Sequence, residues 1–209
     1  MVAIVDYGVG NLFSLGSSFA AIGEEACVTS DPTELCRADR VVLPGVGAFG
    51  DAAEKLKKTG LDRVLISEAG RGKPLLGICL GMQLLFERSF EYGTHEGLGL
   101  IPGEVRPISE MIPEGLKIPH IGWNALNFVG RRHPLFSRLG EKEFVYFVHS
   151  YAGANCGDSL IATAEYGAPL TAAVAKKNVM GCQFHPEKSG NAGLEILRAF
   201  CGLKETDLC

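Results

Sequence analysis

The chain has 209 residues, 46% of them hydrophobic and 21% charged, with a formal net charge of −4. That length suits one well-buried domain spanning 1–209 and is short for two, while the composition is that of a globular protein and argues against disorder. An acidic balance with no long run of Lys and Arg argues against nucleic acid as a partner, and no apolar run reaches the length a bilayer requires, so no membrane is expected.

Val2 to Val5 reads as a buried first strand. No basic region precedes it and Asp6 follows at once, so it is taken as a strand of a cytoplasmic protein and not as a secretion signal. Asp6 to Asn11 is a glycine-punctuated turn before an apolar-periodic helix, Leu12 to Ile22. Gly8-Val9-Gly10 lacks the third glycine of a dinucleotide fingerprint, Phe13 standing in its place, so no nucleotide cofactor is expected. Glu25 to Ser30 is a second strand, Asp31-Pro32 opens a turn or short helix, and Arg40 to Leu43 is a third strand. Pro44-Gly45-Val46-Gly47-Ala48-Phe49-Gly50 follows, glycine-rich enough for its backbone to approach another group closely. Asp51 to Arg71 is helical, broken near Thr59-Gly60.

Pro74 to Phe86 organises the rest. A short apolar run ends at Cys79 and helix formers follow directly, so a buried strand turns sharply into a helix with Cys79 on the turn. Gly77 and Gly81 flank it at two residues on either side, the spacing of a nucleophile elbow. A thiol at the start of a helix lies near the positive end of the helix dipole, which favours the thiolate. The N–H of Leu80 and the loop Gly45, Val46 and Gly47 then offer donors to an oxyanion.

Up to this point strands and helices alternate, which predicts an open, mostly parallel sheet with helices on both faces and a ligand site beyond the carboxyl ends of the strands. From Tyr92 the texture changes to short β runs: Leu98 to Ile108, Lys117 to Trp123, Phe144 to Ser150, Leu160 to Glu165, Leu170 to Ala175 and Val179 to Phe184. These predict a mixed or antiparallel extension, with Lys176-Lys177-Asn178 as a hairpin turn and Ala192 to Phe200 as a closing helix. His185 and Glu187 are two apart around Pro186 at the end of the last run. On an extended segment they face the same way, so the carboxylate orients the imidazole as a base for Cys79. The seven cysteines, at positions 27, 36, 79, 156, 182, 201 and 209, form no Cys-x-x-Cys pair and argue against a disulfide framework or a zinc site. Neither a metal nor any other cofactor is expected. These residues alone leave open a cysteine peptidase or γ-glutamyl hydrolase on a similar fold, or a binding module without catalysis.

Gly77-Ile78-Cys79-Leu80-Gly81-Met82-Gln83 and His185-Pro186-Glu187 resemble the nucleophile motif and the distant His and Glu of a known family, the class I (triad) glutamine amidotransferases. Further stretches resemble the branch of glutaminase subunits that serve imidazole glycerol phosphate synthase. They are Asp6-Tyr7-Gly8-Val9-Gly10-Asn11, Leu43 to Phe49, Pro119-His120-Ile121-Gly122-Trp123-Asn124, Tyr146 to Tyr151 and Gln183 to Ser189. Branches that serve other syntheses usually carry a Gly-Gly-Pro-Gly type loop where this chain has Pro44-Gly45-Val46-Gly47. The resemblance implies a flavodoxin-like α/β fold and hydrolysis of L-glutamine to glutamate and ammonia by Cys79, His185 and Glu187. It also implies that Gln83 and His149-Ser150-Tyr151 hold the amino-acid head group. The implied partner is a (β/α)8 barrel cyclase subunit, in a heterodimer, which inserts the nitrogen to make imidazole glycerol phosphate and an aminoimidazole carboxamide ribotide in histidine biosynthesis. Asn11, Trp123, Tyr146 and Lys188 lie in motifs expected on the cyclase-facing surface.

Independently of any family, ammonia freed into bulk water is mostly protonated and cannot attack. The predicted elements leave no acceptor domain within the 209 residues, so a partner is expected to receive the product.

Overall fold

The computed structural model describes residues 1–204 and 206; Cys209, counted among the thiols above, lies outside the described residues. The first strand, β1 (Val2–Val5), lies between β2 (Ala26–Thr29) and β3 (Arg40–Leu43), and β4 (Leu75–Ile78) adjoins β3, all of them parallel. The crossovers are α1 (Leu12–Ala21), α2 (Pro32–Arg37) and the pair α3 (Phe49–Thr59) and α4 (Leu61–Gly70). Asp31 caps α2 by accepting the Thr33 N–H at 2.8 Å, one of the donors a helix start leaves unpaired. Gly60, at φ 72°, closes α3 in the left-handed conformation that costs glycine least. The strands read as continuous apolar runs because both faces are covered. Val2 and Ile4 pack with Leu15 and Phe19 on one face, and Ala3 and Val5 with Leu35, Leu56 and Leu65 on the other.

Beyond β4 come α5 (Leu80–Leu84), the short strands β5 (Arg88–Ser89) and β6 (His95–Glu96), then β7 (Glu104–Pro107), β8 (His120–Phe128) and β9 (Phe144–His149). The chain continues through β10 (Tyr151–Ala154), β11 (Leu160–Glu165), β12 (Pro169–Lys176), β13 (Val179–Cys182) and α6 (Gly190–Gly202). Nine strands form one sheet in the order β2-β1-β3-β4-β13-β12-β11-β8-β9, parallel from β2 to β13 and antiparallel from β13 to β9. The sheet is therefore mixed, its parallel and antiparallel parts meeting at β13. A second small sheet, β10-β7-β5-β6, covers α5 and its surroundings. No helix among the described residues is long and apolar enough to cross a membrane.

Three predicted elements differ. Leu98 to Ile108 is not one β run; only Glu104–Pro107 is a strand. Leu98, Gly99, Leu100 and Ile101 donate their backbone N–H groups to the carbonyls of Leu84, Leu85 and Phe86, leaving none for a neighbouring strand. The run expected from Lys117 starts at His120 and extends to Phe128, held by β9 on one side and β11 on the other. The helix after Cys79 stops at Leu84, because the Leu85 and Phe86 N–H groups turn back only three residues, to Met82 and Gln83.

Candidate active site

Cys79 has φ 54° and ψ −113°, a backbone conformation that costs a non-glycine residue about 1–3 kcal/mol and persists only when its surroundings hold it. Those surroundings are backbone. An added Cβ at Gly81 would stand 1.8 Å from the Leu43 carbonyl oxygen, and one at Gly77 2.6 Å from the Gly81 oxygen. The two glycines therefore let β3, β4 and α5 close around the turn. From the other side the Cys79 N–H donates to the Cys182 carbonyl at 2.7 Å. With only five residues, α5 has little macrodipole, so the charge facing the sulfur comes from side chains.

The chief of these is His185, at the end of the strand beside β4. The spacing predicts His185 and Glu187 on one extended segment; the structure instead folds Pro186–Lys188 into a three-ten turn, from which the carboxylate reaches back. Glu187 Oε1 lies 2.8 Å from His185 Nδ1, leaving Nε2 to act on Cys79, which lines the same cavity. The backbone of His185 is pinned to β9, its N–H donating to the Tyr146 carbonyl at 3.0 Å and its carbonyl accepting from the Ser189 hydroxyl at 2.6 Å. Burial alone would lower the imidazole pKa, but the hydrogen bonds and charges of Cys79 and Glu187 outweigh it and push His185 up to about 9. Glu187 Oε2 is buried without a hydrogen-bond partner among the described residues, so the carboxylate's charge is directed onto the imidazole. Thiol, imidazole and carboxylate in contact in this order can carry out acyl transfer through sulfur.

These groups open on a cavity of about 390 Å³ lined by Val46, Gly47, Cys79, Leu80, Gln83 and His185, with His149, Ser150 and Tyr151 on the facing wall. Leu80 begins α5, so its N–H has no intrahelical acceptor. Gly47 takes φ 94° in the exposed part of its loop. Gly45 differs from expectation: it is buried under the turn, where an added Cβ would meet Gly81 N at 2.8 Å, and it does not line the cavity. The His149 side chain is occupied elsewhere. Its Nδ1 donates to the Tyr151 carbonyl at 2.8 Å, so its Nε2 accepts from His120 Nδ1 at 3.0 Å, and His120 Nε2 is left buried without a partner. Burial holds both rings neutral, pushing His149 down to about 4 and lowering His120.

Of the four residues expected at a partner surface, three form one cluster. Trp123, about half exposed, meets Tyr146 edge-on at 6.0 Å between ring centroids, and Lys188 Nζ sits 5.9 Å over the Tyr146 ring. Asn11 lies at the head of α1. Sequence reasoning missed two polar residues. Among the described residues Glu91 is the one acidic residue on the cavity wall; it lies in the turn between β5 and β6, which carries no periodic signal. Gln183 is fully buried beside Cys79; its signal was a lone carboxamide ending the apolar run from Val179.

The chain matches the family described as glutamine amidotransferase class-I over residues 3–202, and belongs to it. Among its relatives, the "Imidazole glycerol phosphate synthase subunit HisH" of Sulfurimonas denitrificans is 50% identical over 203 residues, 96% of this chain and 97% of that protein. The protein of the same name from Bacillus cereus strain G9842 is 50% identical over 206 residues, 98% and 96% of the two chains. Solved structures share the fold: one titled "Crystal structure of glutamine amidotransferase" superposes with a TM-score of 0.74 at 17% identity, covering 96% of this chain and 100% of that one. PurLQS from Thermotoga maritima gives 0.74 at 20% identity, covering 96% of each.

Proposed function

We propose that this chain is a single glutaminase domain, the subunit of an imidazole glycerol phosphate synthase that hydrolyses L-glutamine and passes ammonia to a cyclase subunit in the cytoplasm. The observation that carries this reading is the contact of Cys79 with His185 and of His185 with Glu187, in a chain about half identical to the named relatives over nearly its whole length. Glutamine enters the cavity with its α-ammonium toward Glu91 and its head group along His149-Ser150-Tyr151, which leaves the side-chain amide over Cys79.

The Cys79 thiolate attacks the amide carbon, and the oxyanion that forms takes hydrogen bonds from the Leu80 N–H and from the Val46-Gly47 loop. Each such donor is worth about 10²–10³ in rate. His185, protonated at neutral pH, gives its Nε2 proton to the departing nitrogen, and ammonia leaves with the C–N bond pair. The neutral imidazole then takes a proton from water, whose oxygen attacks the thioester. The C–S bond breaks with its pair on sulfur, releasing glutamate and restoring the thiolate beside the imidazolium. Trp123, Tyr146 and Lys188, with Asn11, face the cyclase in this reading. Tyr146 ties that surface to the chemistry, because its carbonyl holds the His185 backbone.

Glutamate release by the purified chain, alone and with a (β/α)8 barrel cyclase and its nucleotide ligand, tests the assignment. Activity that rises in the occupied complex and vanishes in Cys79→Ala supports it. Equal activity alone and in complex sinks the partner, and activity retained by Cys79→Ala sinks the nucleophile.

A further inference from the structure

The sulfur of Cys79 has a second partner, which the reaction as derived does not use. Gln183 follows β13 directly, where the pairing of Cys182 with Ile78 sets it beside Cys79, and its side chain is fully buried. Its Nε2 lies 3.8 Å from Cys79 Sγ, and its Oε1 lies 3.0 Å from Nε2 of Gln83. Shape alone does not fix which end of a carboxamide faces which neighbour; here the polarity is dictated from Tyr151. At the Tyr151–Pro107 pair the ladder bond runs from the Ile108 N–H to the Ser150 carbonyl, so the Tyr151 carbonyl faces away from β7. It accepts from Gln83 Nε2 at 3.0 Å and from His149 Nδ1 at 2.8 Å. A carbonyl only accepts, so Gln83 must present its NH2 there. The second N–H of that amide meets Gln183, which must answer with oxygen, and Gln183 is left with its NH2 on the sulfur.

We propose that Gln183 is a positioning residue for the nucleophile, its Nε2–H donating to the Cys79 sulfur and holding it as the thiolate. The proposal rests on reading Cys79 as the nucleophile. His185 gives up and regains its proton in every turnover, so its support for a charged sulfur comes and goes. A carboxamide N–H does not titrate, and its bond to sulfur persists through both proton transfers. It also favours breakdown of the thioester, when the C–S pair returns to sulfur. Hydrogen bonds to charged groups of this kind are worth about ten- to hundredfold in an equilibrium or a rate.

Two variants separate donation from packing. Gln183→Glu keeps the size and still offers an oxygen to Gln83 but has no N–H for sulfur; Gln183→Met fills the space without polarity. Alkylation of Cys79 by iodoacetamide is followed on the peptide that carries it, in the full chain, as a function of pH, alongside kcat and KM for glutamate release with the cyclase present. At neutral pH alkylation is expected to slow about tenfold or more in both variants, with the profile moved to higher pH. The rate kcat should fall about ten- to hundredfold and KM change little. A profile within about twofold of the parent's in folded Gln183→Met overturns the proposal, as does a shift confined to Gln183→Glu, which its charge alone would produce. Should neither variant fold, Gln183→Asn, whose carboxamide is one methylene shorter and draws its N–H back from the sulfur, is read in the same way, an unchanged profile again overturning the proposal. Alkylation needs no glutamine, so a chain that shows the shift but releases no glutamate would refute the glutaminase reading and leave this one standing.

Discussion

His185 and His149 are both buried, yet they depart from ordinary histidine in opposite directions, to about 9 and about 4. The difference lies in what each ring touches. His185 faces Cys79 and Glu187, which both favour the imidazolium; His149 faces a carbonyl and another imidazole, which cannot repay the loss of water. If the protonated ring is the working form, the glutaminase rate falls as pH rises through about 9. Glu187→Gln removes one of the two groups holding the proton, so its alkaline limb should begin at lower pH and its rate at the optimum should drop by about 10²–10⁴. A pH–rate profile of glutamate release decides; an unmoved limb would mean that another group controls it. At this scale the sequence pointed to Cys79, His185 and Glu187 because each sits in a short local pattern, Gly-x-Cys-x-Gly or His-Pro-Glu. Glu91 stayed hidden because no local pattern marks it, and Gln183, though it stands out at the end of an apolar run, because its contacts are with Cys79 and Gln83, about a hundred positions away.

Among the elements, the turn at Cys79 was legible and the β extension was only partly so. Gly77 and Gly81 are required by backbone contacts that recur wherever a strand reverses into a helix this tightly, so residue type and offset sufficed. Leu98 to Ile101 was not legible, because nothing in an apolar run tells whether its N–H groups meet a strand or, as here, the end of α5. Ser150 likewise hid the start of β10, since the chain leaves one sheet for the other across that single residue. The glycine contacts lead to a paired test by denaturant unfolding. Gly81→Ala drives a methyl into the Leu43 carbonyl, 1.8 Å away, and should cost about 3 kcal/mol or more. Gly16→Ala, inside α1 where an added Cβ would meet nothing within 4 Å beyond its own helix backbone, should stabilise by roughly 0.5–1 kcal/mol. Similar effects from both would mean that the turn has room to relax.

For the molecule as a whole, the two histidines act on opposite sides of one pH. An unfolded histidine titrates near pH 6.5. His149 resists protonation when folded, so its contribution is complete above about pH 6.5 and is lost as pH falls toward 4, on the order of 2–4 kcal/mol. His185 holds its proton when folded, so its contribution is complete below about pH 6.5 and is lost as pH rises toward 9. Unfolding free energy should therefore peak near pH 6.5. His149→Gln should flatten the acid side and Glu187→Gln the alkaline side, and a stability curve without those two separate changes would contradict the assignment.

The strand β13 joins β4 on one edge to β12 on the other, and the residues that follow it bring Gln183 and His185 to a cysteine 104 and 106 positions earlier in the chain. A growing chain that has emerged only through β12 carries the thiol with neither partner. Its sulfur then has no imidazole to take or return a proton, so a half-made molecule cannot waste glutamine. Hydrolytic competence arrives with the last strand, set between two already formed flanks like a keystone, and its loss would be an early sign of that joint opening.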